Sequence, residues 1–140
     1  MEVTATEVQN ALWSLTPWKS AGPDGIHPAL FIPLGPLVID MLVHMFNNSL
    51  ATCCLPADWK AATVVPIYKS GDKTLPSNYR PVSLTSIVVK LLERIIRDRI
   101  CGFLRERGFF NPCQHGFLKG RSCLTNLLAF FDQVTQLLDE

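Results

Sequence analysis

The feature that most constrains this chain is an apolar progression that starts at Val88. Leu91, Leu92, Ile95, Ile96, Ile100, Phe103 and Leu104 continue it at i, i+3 and i+4 spacing, the pattern of a helix with one face against a core. Lys90, Arg94, Arg97 and Arg105 fall largely off that stripe. Thr85 or Ser86 stands where such a helix needs its N-cap, and Gly108 where it must stop. Directly upstream stands Tyr79-Arg-Pro-Val-Ser-Leu84, in which residues 80–84 read as a short strand. An arginine beside a proline, next to a strand and ahead of a basic helix, suits a corner that grips phosphate.

Charge is distributed in the same sense. The chain has 140 residues and a formal net charge of only +1. Residues 60–121, however, carry twelve Lys and Arg against four Asp and Glu, a formal +8, while residues 1–59 sum to −4 and residues 122–140 to −3. A basic middle between acidic flanks attracts polyanions. The alternative is a solvated Arg-rich helix with no ligand. A hydrophobic share of 48% and a charged share of 18% are those of a folded domain, and the length suits one domain with a core.

Five cysteines, an odd number with two adjacent, and the absence of a basic start followed by an apolar run make the expectation an intracellular, unsecreted protein, in nucleus or cytoplasm, rather than a disulfide framework. Cys113 and His115 have no second pair at a spacing that closes a zinc tetrahedron. The most apolar window, residues 29–46, holds Pro33, Gly35, Pro36, Asp40 and His44. It is expected to be a core segment and not a membrane span.

From the N-terminus, Thr4 or Thr6 caps a short helix that carries Val8, Leu12 and Leu15 and stops near Pro17. Lys19-Ser-Ala-Gly-Pro-Asp-Gly-Ile26 reads as consecutive tight turns. Pro36 suits the first turn of a helix running to about Ala51. Residues 61–68 read as a buried strand, with Pro66 arguing for an edge or a bulge, and pair antiparallel with residues 80–84 across a polar loop. Ser122 caps a last helix with Leu124, Leu127, Leu128, Phe131, Val134 and Leu138 on one side. The fold class is therefore α+β and mainly α-helical, with a small antiparallel sheet.

Several chemistries are absent from the sequence. Two-metal polymerase or nuclease chemistry needs grouped carboxylates, and no Asp-Asp, Asp-x-Asp or Glu-x-Asp occurs. No Gly-x-Ser-x-Gly or His-Glu-x-x-His occurs either. Gly116-Phe-Leu-Lys-Gly-Arg-Ser122 differs from a Walker loop: three residues separate its glycines, and Arg121 replaces the lysine. The residues alone describe a basic, mainly helical phosphate- or nucleic-acid-binding domain.

Four blocks in order add a resemblance. They are Lys19-Ser-Ala-Gly-Pro-Asp-Gly-Ile26; Pro56-Ala-Asp-Trp-Lys60 with Pro66-Ile-Tyr-Lys-Ser-Gly-Asp72; Asn78-Tyr-Arg-Pro-Val-Ser-Leu-Thr-Ser86; and Gln114-His-Gly-Phe-Leu-Lys-Gly-Arg-Ser-Cys-Leu-Thr-Asn-Leu127. Together they resemble the reverse transcriptase of non-LTR, LINE-type retrotransposons of the jockey-like kind, over essentially the whole chain.

The resemblance implies the fingers and the start of the palm of a right-hand polymerase fold. Residues 1–140 would form one partial reverse transcriptase domain, with the endonuclease upstream and the catalytic palm and thumb downstream missing. Carried over residue by residue, Lys69 and Arg80 meet the triphosphate of the incoming deoxynucleotide, as a Lys/Arg clamp on a transferring phosphoryl group would. Gln114, Gly116 and Phe117 lie near template and primer, with Gly116 permitting close backbone approach and Phe117 packing on a sugar or base, or else plugging the core. Lys119 and Arg121 touch backbone phosphate.

No residue is assigned a catalytic or metal-binding role. Mg²⁺, an RNA template, a DNA primer and deoxynucleoside triphosphates belong to the complete parent enzyme, and no membrane or protein partner is assigned. The fragment is expected to be inactive alone. The alternative is a retained non-catalytic nucleic-acid-binding module.

Overall fold

The structure, a computed structural model, describes residues 2–139. In order, the chain forms α1 (Ala5–Trp13), α2 (Pro28–Thr52), a 3₁₀ turn (Ala57–Lys60), β1 (Ala62–Tyr68), a second 3₁₀ turn (Pro76–Asn78), β2 (Tyr79–Thr85), α3 (Ile87–Glu106) and α4 (Cys123–Asp139). These elements fall into two compact units, one up to Asp98 and one from Arg99, so that α3 runs from the first into the second. The α+β class and its helical majority are as expected.

The first unit contains the buried core. Thr4 caps α1 through a reciprocal pair in which the Glu7 amide donates to Thr4 Oγ1 at 3.4 Å and the Thr4 amide donates to Glu7 Oε2 at 2.9 Å. The helix ends at Trp13, a turn before Pro17, because the Ser14 hydroxyl and the Leu15 amide bond back to the carbonyls of Ala11 and Leu12. Val3 is tied to α2 by both atoms of one side-chain amide: its N–H donates to Asn47 Oδ1 and its carbonyl accepts from Asn47 Nδ2. Val8, Ala11 and Leu12 then pack with Phe31, Leu42 and Phe46 of α2 and with Ile87, Leu91, Leu92 and Ile95 of α3. Trp59 closes this core, its ring edge-on to Phe46 at 5.9 Å between centroids. Burying a Leu or Phe of this kind stabilises by about 1.5–3 kcal/mol each.

The expectation for α2 is corrected. The helix starts at Pro28, eight residues before Pro36, because His27 Nδ1 accepts from the Ala29 amide and Pro28 occupies the first helical position. Pro33 and Pro36 lie inside the helix, where each forfeits a backbone bond. The core assignment for residues 29–46 also holds for one side only. Phe31, Gly35, Leu42, Phe46 and Ser49 are buried, while Leu30, Leu34, Leu37 and Met41 are exposed. By length and composition alone, α2 is long and apolar enough to cross a membrane.

The strand expectation is right in pairing and wrong in burial. β1 and β2 pair antiparallel with Pro66 opposite Pro81 and Ile67 opposite Arg80, but every residue of β1 is exposed. The ribbon has two strands and nothing stacked on β1, so Val64, Val65 and Ile67 remain in solvent. The amide of Lys69 donates to the carbonyl of Asn78 at 2.8 Å. Hydrogen-bonded and non-bonded pairs alternate along an antiparallel ladder, so this bond makes residue 66 opposite residue 81 a non-bonded pair. Two prolines face each other where neither missing N–H removes a ladder bond.

Ser86 is the cap of α3: it is buried, and its Oγ accepts from the Val88 amide at 3.3 Å. The stripe of α3 is buried only over its first turns, and Ile100 and Phe103 are exposed. Gly108, at φ 63°, ends the helix as expected.

In the second unit Ser122 and Thr125 cap α4 reciprocally. The Thr125 amide donates to Ser122 Oγ at 3.2 Å, and the Ser122 amide donates to Thr125 Oγ1 at 2.8 Å. Most apolar residues of α4, among them Leu124, Leu128, Phe131 and Leu138, are exposed, and Val134 is half-buried.

Candidate phosphate and nucleic-acid interface

The ribbon brings Lys69 and Arg80 together. Side chains alternate across a strand, and Ile67 lies opposite Arg80 in the register. Lys69, two residues beyond Ile67 and paired with Asn78, therefore shares the face of Arg80 on the diagonal. Such neighbours lie about 7–8 Å apart. Tyr68, Tyr79, Pro66 and Pro81 occupy the opposite face.

The loop between the strands is held from within. Tyr68 Oη donates to the Gly71 carbonyl, Tyr79 Oη donates to the Lys73 carbonyl at 2.9 Å, and Asn78 Nδ2 donates to the Asp72 carbonyl at 2.8 Å. Asp72 Oδ1 accepts from both the amide and the hydroxyl of Thr74, which holds its carboxyl below the ordinary aspartate range. Lys69 thus leaves the ribbon at the mouth of a braced loop, and both cations are exposed.

A second contact fixes this ribbon to the Lys19–Ile26 turns. A Cβ on Gly22 would stand 2.6 Å from the Ser86 nitrogen and 2.6 Å from the Thr85 carbonyl carbon and oxygen. The loop backbone therefore lies directly against the peptide that joins β2 to α3, which only glycine allows. Below it, Lys19 and Ser20 share a recess of about 130 Å³ with Leu15, Ile87, Lys90 and Arg94. Neither Lys19 nor Lys90 was singled out by the sequence as a ligand residue. The available signal was their position beside two blocks: Lys19 opens the Gly-Pro-Asp-Gly turns, and Lys90 lies on the first turn of α3.

Gln114, Gly116, Phe117, Lys119 and Arg121 lie in the second unit. They share one loop, organised by Arg121, whose Nη1 donates to the carbonyls of Pro112 and of Gln114, the latter at 2.7 Å. Arg121 thus has a fold-holding role that sequence spacing did not suggest. His115 Nδ1 is 2.9 Å from Thr125 Oγ1, linking the loop to the cap of α4. Phe117 is fully exposed and sits at φ 60°, so its alternative role as a core plug is discarded. A bulky residue held in the left-handed region costs of order 1–3 kcal/mol. Gly116 has no positive φ, and a Cβ there would meet nothing within 4 Å. The fold of this unit does not itself require a glycine at that position.

Comparison with known proteins gives these placements a context. The chain is 31% identical over 139 residues to a protein of Drosophila melanogaster named as a probable RNA-directed DNA polymerase from transposon BS, covering 99% of this chain and 15% of that protein. It is 32% identical over 99 residues to the RNA-directed DNA polymerase from mobile element jockey of the same fly, covering 70% of this chain and 11% of the relative. The chain is homologous to non-LTR retrotransposon RNA-directed DNA polymerases. A third such relative, from the X-element, is 29% identical over 122 residues, or 86% of this chain and 13% of its own length. This polymerase-related chain thus spans about one seventh or less of the curated relatives it matches. No family model matches it.

The residues present do not fit the two-metal site that polymerase chemistry uses. The sequence has no Asp-Asp, Asp-x-Asp or Glu-x-Asp. Among the described residues, no group of three or more His, Cys, Asp or Glu could hold a metal ion.

Proposed function

We propose that this chain supplies the fingers surface of a retrotransposon RNA-directed DNA polymerase that contacts the triphosphate of the incoming deoxynucleotide. Lys69 and Arg80 are the contacts. The observation that carries this reading is the register, which sets both cations on one exposed face of a ribbon whose loop is braced by Tyr68, Asp72, Asn78 and Tyr79. Arg80 offers a planar fork to two phosphate oxygens, and Lys69 offers a point charge beside it. The polymerase homology supports the choice of ligand. The loop of residues 114–121 contacts template or primer: exposed Phe117 stacks on a base or sugar, Gly116 admits the strand, and Gln114, Lys119 and the donors of Arg121 beyond Nη1 meet the backbone.

Phosphoryl transfer by such enzymes uses Mg²⁺ held by carboxylates, which these residues do not group, so the 140-residue polypeptide is inactive alone. Primer extension on an RNA template with Mg²⁺ and deoxynucleotides tests this. No extended product is expected, and a product abolished by chelation would overturn the assignment. For the clamp, Arg80→Ala is expected to weaken binding of a deoxynucleoside triphosphate roughly tenfold or more, with little effect on the nucleoside. Equal loss for both would show that Arg80 does not meet phosphate. A second reading, a non-catalytic nucleic-acid-binding module, is favoured by the +8 of residues 60–121. It requires affinity for nucleic acid that falls steeply with salt.

A further inference from the structure

We propose that the recess walled by Lys19, Ser20, Lys90 and Arg94 is a separate phosphate site, which holds one backbone phosphate of a single-stranded nucleic acid. Its three cations come from different parts of the first unit: Lys19 from the turns after α1, and Lys90 and Arg94 one helical turn apart on α3. No carboxylate lines it. Arg94 lies at the boundary with a second recess on its other side, where Glu7 and Asp98 are found, and its Nε is 4.0 Å from Asp98 Oδ2. That distance is beyond a hydrogen bond. Among the described residues, no ion pair engages Lys19 or Lys90.

Helix electrostatics sharpen the case. The N-terminus of a helix carries a partial positive charge that favours anions and opposes cations. α3 nevertheless has no acid in its first turn and places Lys90 there, with Lys19 brought alongside from another segment. Like charges gathered at this pole are unfavourable for the chain alone, and an anion between them reverses the sign. Leu15, Ile87 and Leu91 give the recess an apolar floor, which lowers the local dielectric and strengthens the attraction. Its volume of about 130 Å³ equals roughly four waters at about 30 Å³ each, room for one phosphate group. Gly22 presses the Lys19 loop onto the Thr85–Ser86 peptide, so the recess is held by a backbone contact.

The recess differs from the Lys69/Arg80 face in residues and in the element that builds it. Only the choice of nucleic acid as the phosphate's source rests on the polymerase reading. The test is fluorescence anisotropy of a labelled single-stranded RNA oligonucleotide, titrated with the 140-residue chain at several salt concentrations. The double variant Lys19→Gln/Lys90→Gln is expected to bind roughly tenfold more weakly. The slope of log affinity against log salt should fall by about 0.7, the value for one phosphate on a single strand. Lys60→Gln/Lys73→Gln, with the same charge change away from the recess, should lose clearly less, and Lys90→Arg should retain binding. Equal losses for the two double variants, or an unchanged slope, would overturn the proposal. Inorganic phosphate and a deoxynucleoside triphosphate serve as competitors. If either displaces the RNA at micromolar concentration through Lys19 and Lys90, the site belongs to a free phosphate and the nucleic-acid assignment fails. Arg80→Ala should leave the salt-slope effect of the double variant intact, so failure of the triphosphate clamp is read separately.

Discussion

Gly22→Ala tests the joint on which both candidate phosphate sites depend. Gly22 has no positive φ among the described residues, so its backbone conformation suits alanine. In open space the change would stabilise by about 0.4–1 kcal/mol through the unfolded chain. The space is not open. The new Cβ would stand 2.6 Å from three backbone atoms of Thr85 and Ser86, against an ordinary contact distance of 3.4–4 Å, and something must move by several tenths of an ångström. Those atoms belong to the end of β2 and the cap of α3, so neither can yield as a flexible side chain would. Overpacking of this kind costs about 1–3 kcal/mol, which leaves a net loss of roughly 1–2 kcal/mol once the unfolded-state gain is subtracted. For a unit of this size that is a fall in Tm of about 4–10 °C. The assay is thermal and urea unfolding of Gly22→Ala beside Gly116→Ala, whose Cβ meets nothing within 4 Å. An unchanged or raised Tm for Gly22→Ala would refute the packing of the loop on the β2–α3 peptide.

Other outcomes follow from the same contacts. Phe117→Gly removes a side chain from a left-handed position, and the second unit should gain about 1 kcal/mol in urea unfolding; a loss would mean that Phe117 packs. Thr4→Ala removes the N-cap of α1 and should cost about 1 kcal/mol, reported by helical circular dichroism during melting. Asp72 contributes in its ionised form: with its folded pKa lowered by the two Thr74 bonds, that contribution is present above the ordinary aspartate pKa and is lost as pH falls through the depressed folded value. Asp72→Asn should therefore flatten the acid limb of stability, as seen by amide exchange of residues 69–78 between neutral and acid pH. Arg121→Ala should raise amide exchange across residues 112–121 while leaving the first unit unchanged, because Nη1 no longer holds two loop carbonyls.

Much of this was legible because the strongest signals are local. A cap at Thr4 or Thr6, the cap at Ser122, the stop at Gly108 and the pairing of the two strands are each marked by short stretches of sequence, as capping and turn chemistry requires. The structure selects Thr4 and adds the reciprocal partners Glu7 and Thr125. What was not legible depends on long-range packing. Val64, Val65 and Ile67 have the composition of a buried strand, but burial depends on what lies over the ribbon, and composition does not report that. Pro36 was a sound helix start; Pro28 with His27 is also sound, and tertiary contacts of Phe31 favour the longer helix. No local pattern marks Trp59 as a core residue, yet its ring completes the core against Phe46. For the candidate site, the alternation of side chains gave the shared face of Lys69 and Arg80 as soon as the register was known. The Lys19, Lys90 and Arg94 recess required Gly22 to bring together segments some seventy residues apart.

The central claim, that Lys69 and Arg80 form one triphosphate-binding face, is tested most directly by a two-dimensional amide NMR titration of the 140-residue chain. The ligand is a deoxynucleoside triphosphate, with the matching nucleoside as control. The account predicts shifts concentrated at residues 67–69 and 78–82, produced by the triphosphate alone and removed by Arg80→Ala. Shifts that centre on Lys19 and Lys90 instead, or that survive Arg80→Ala unchanged, would contradict it.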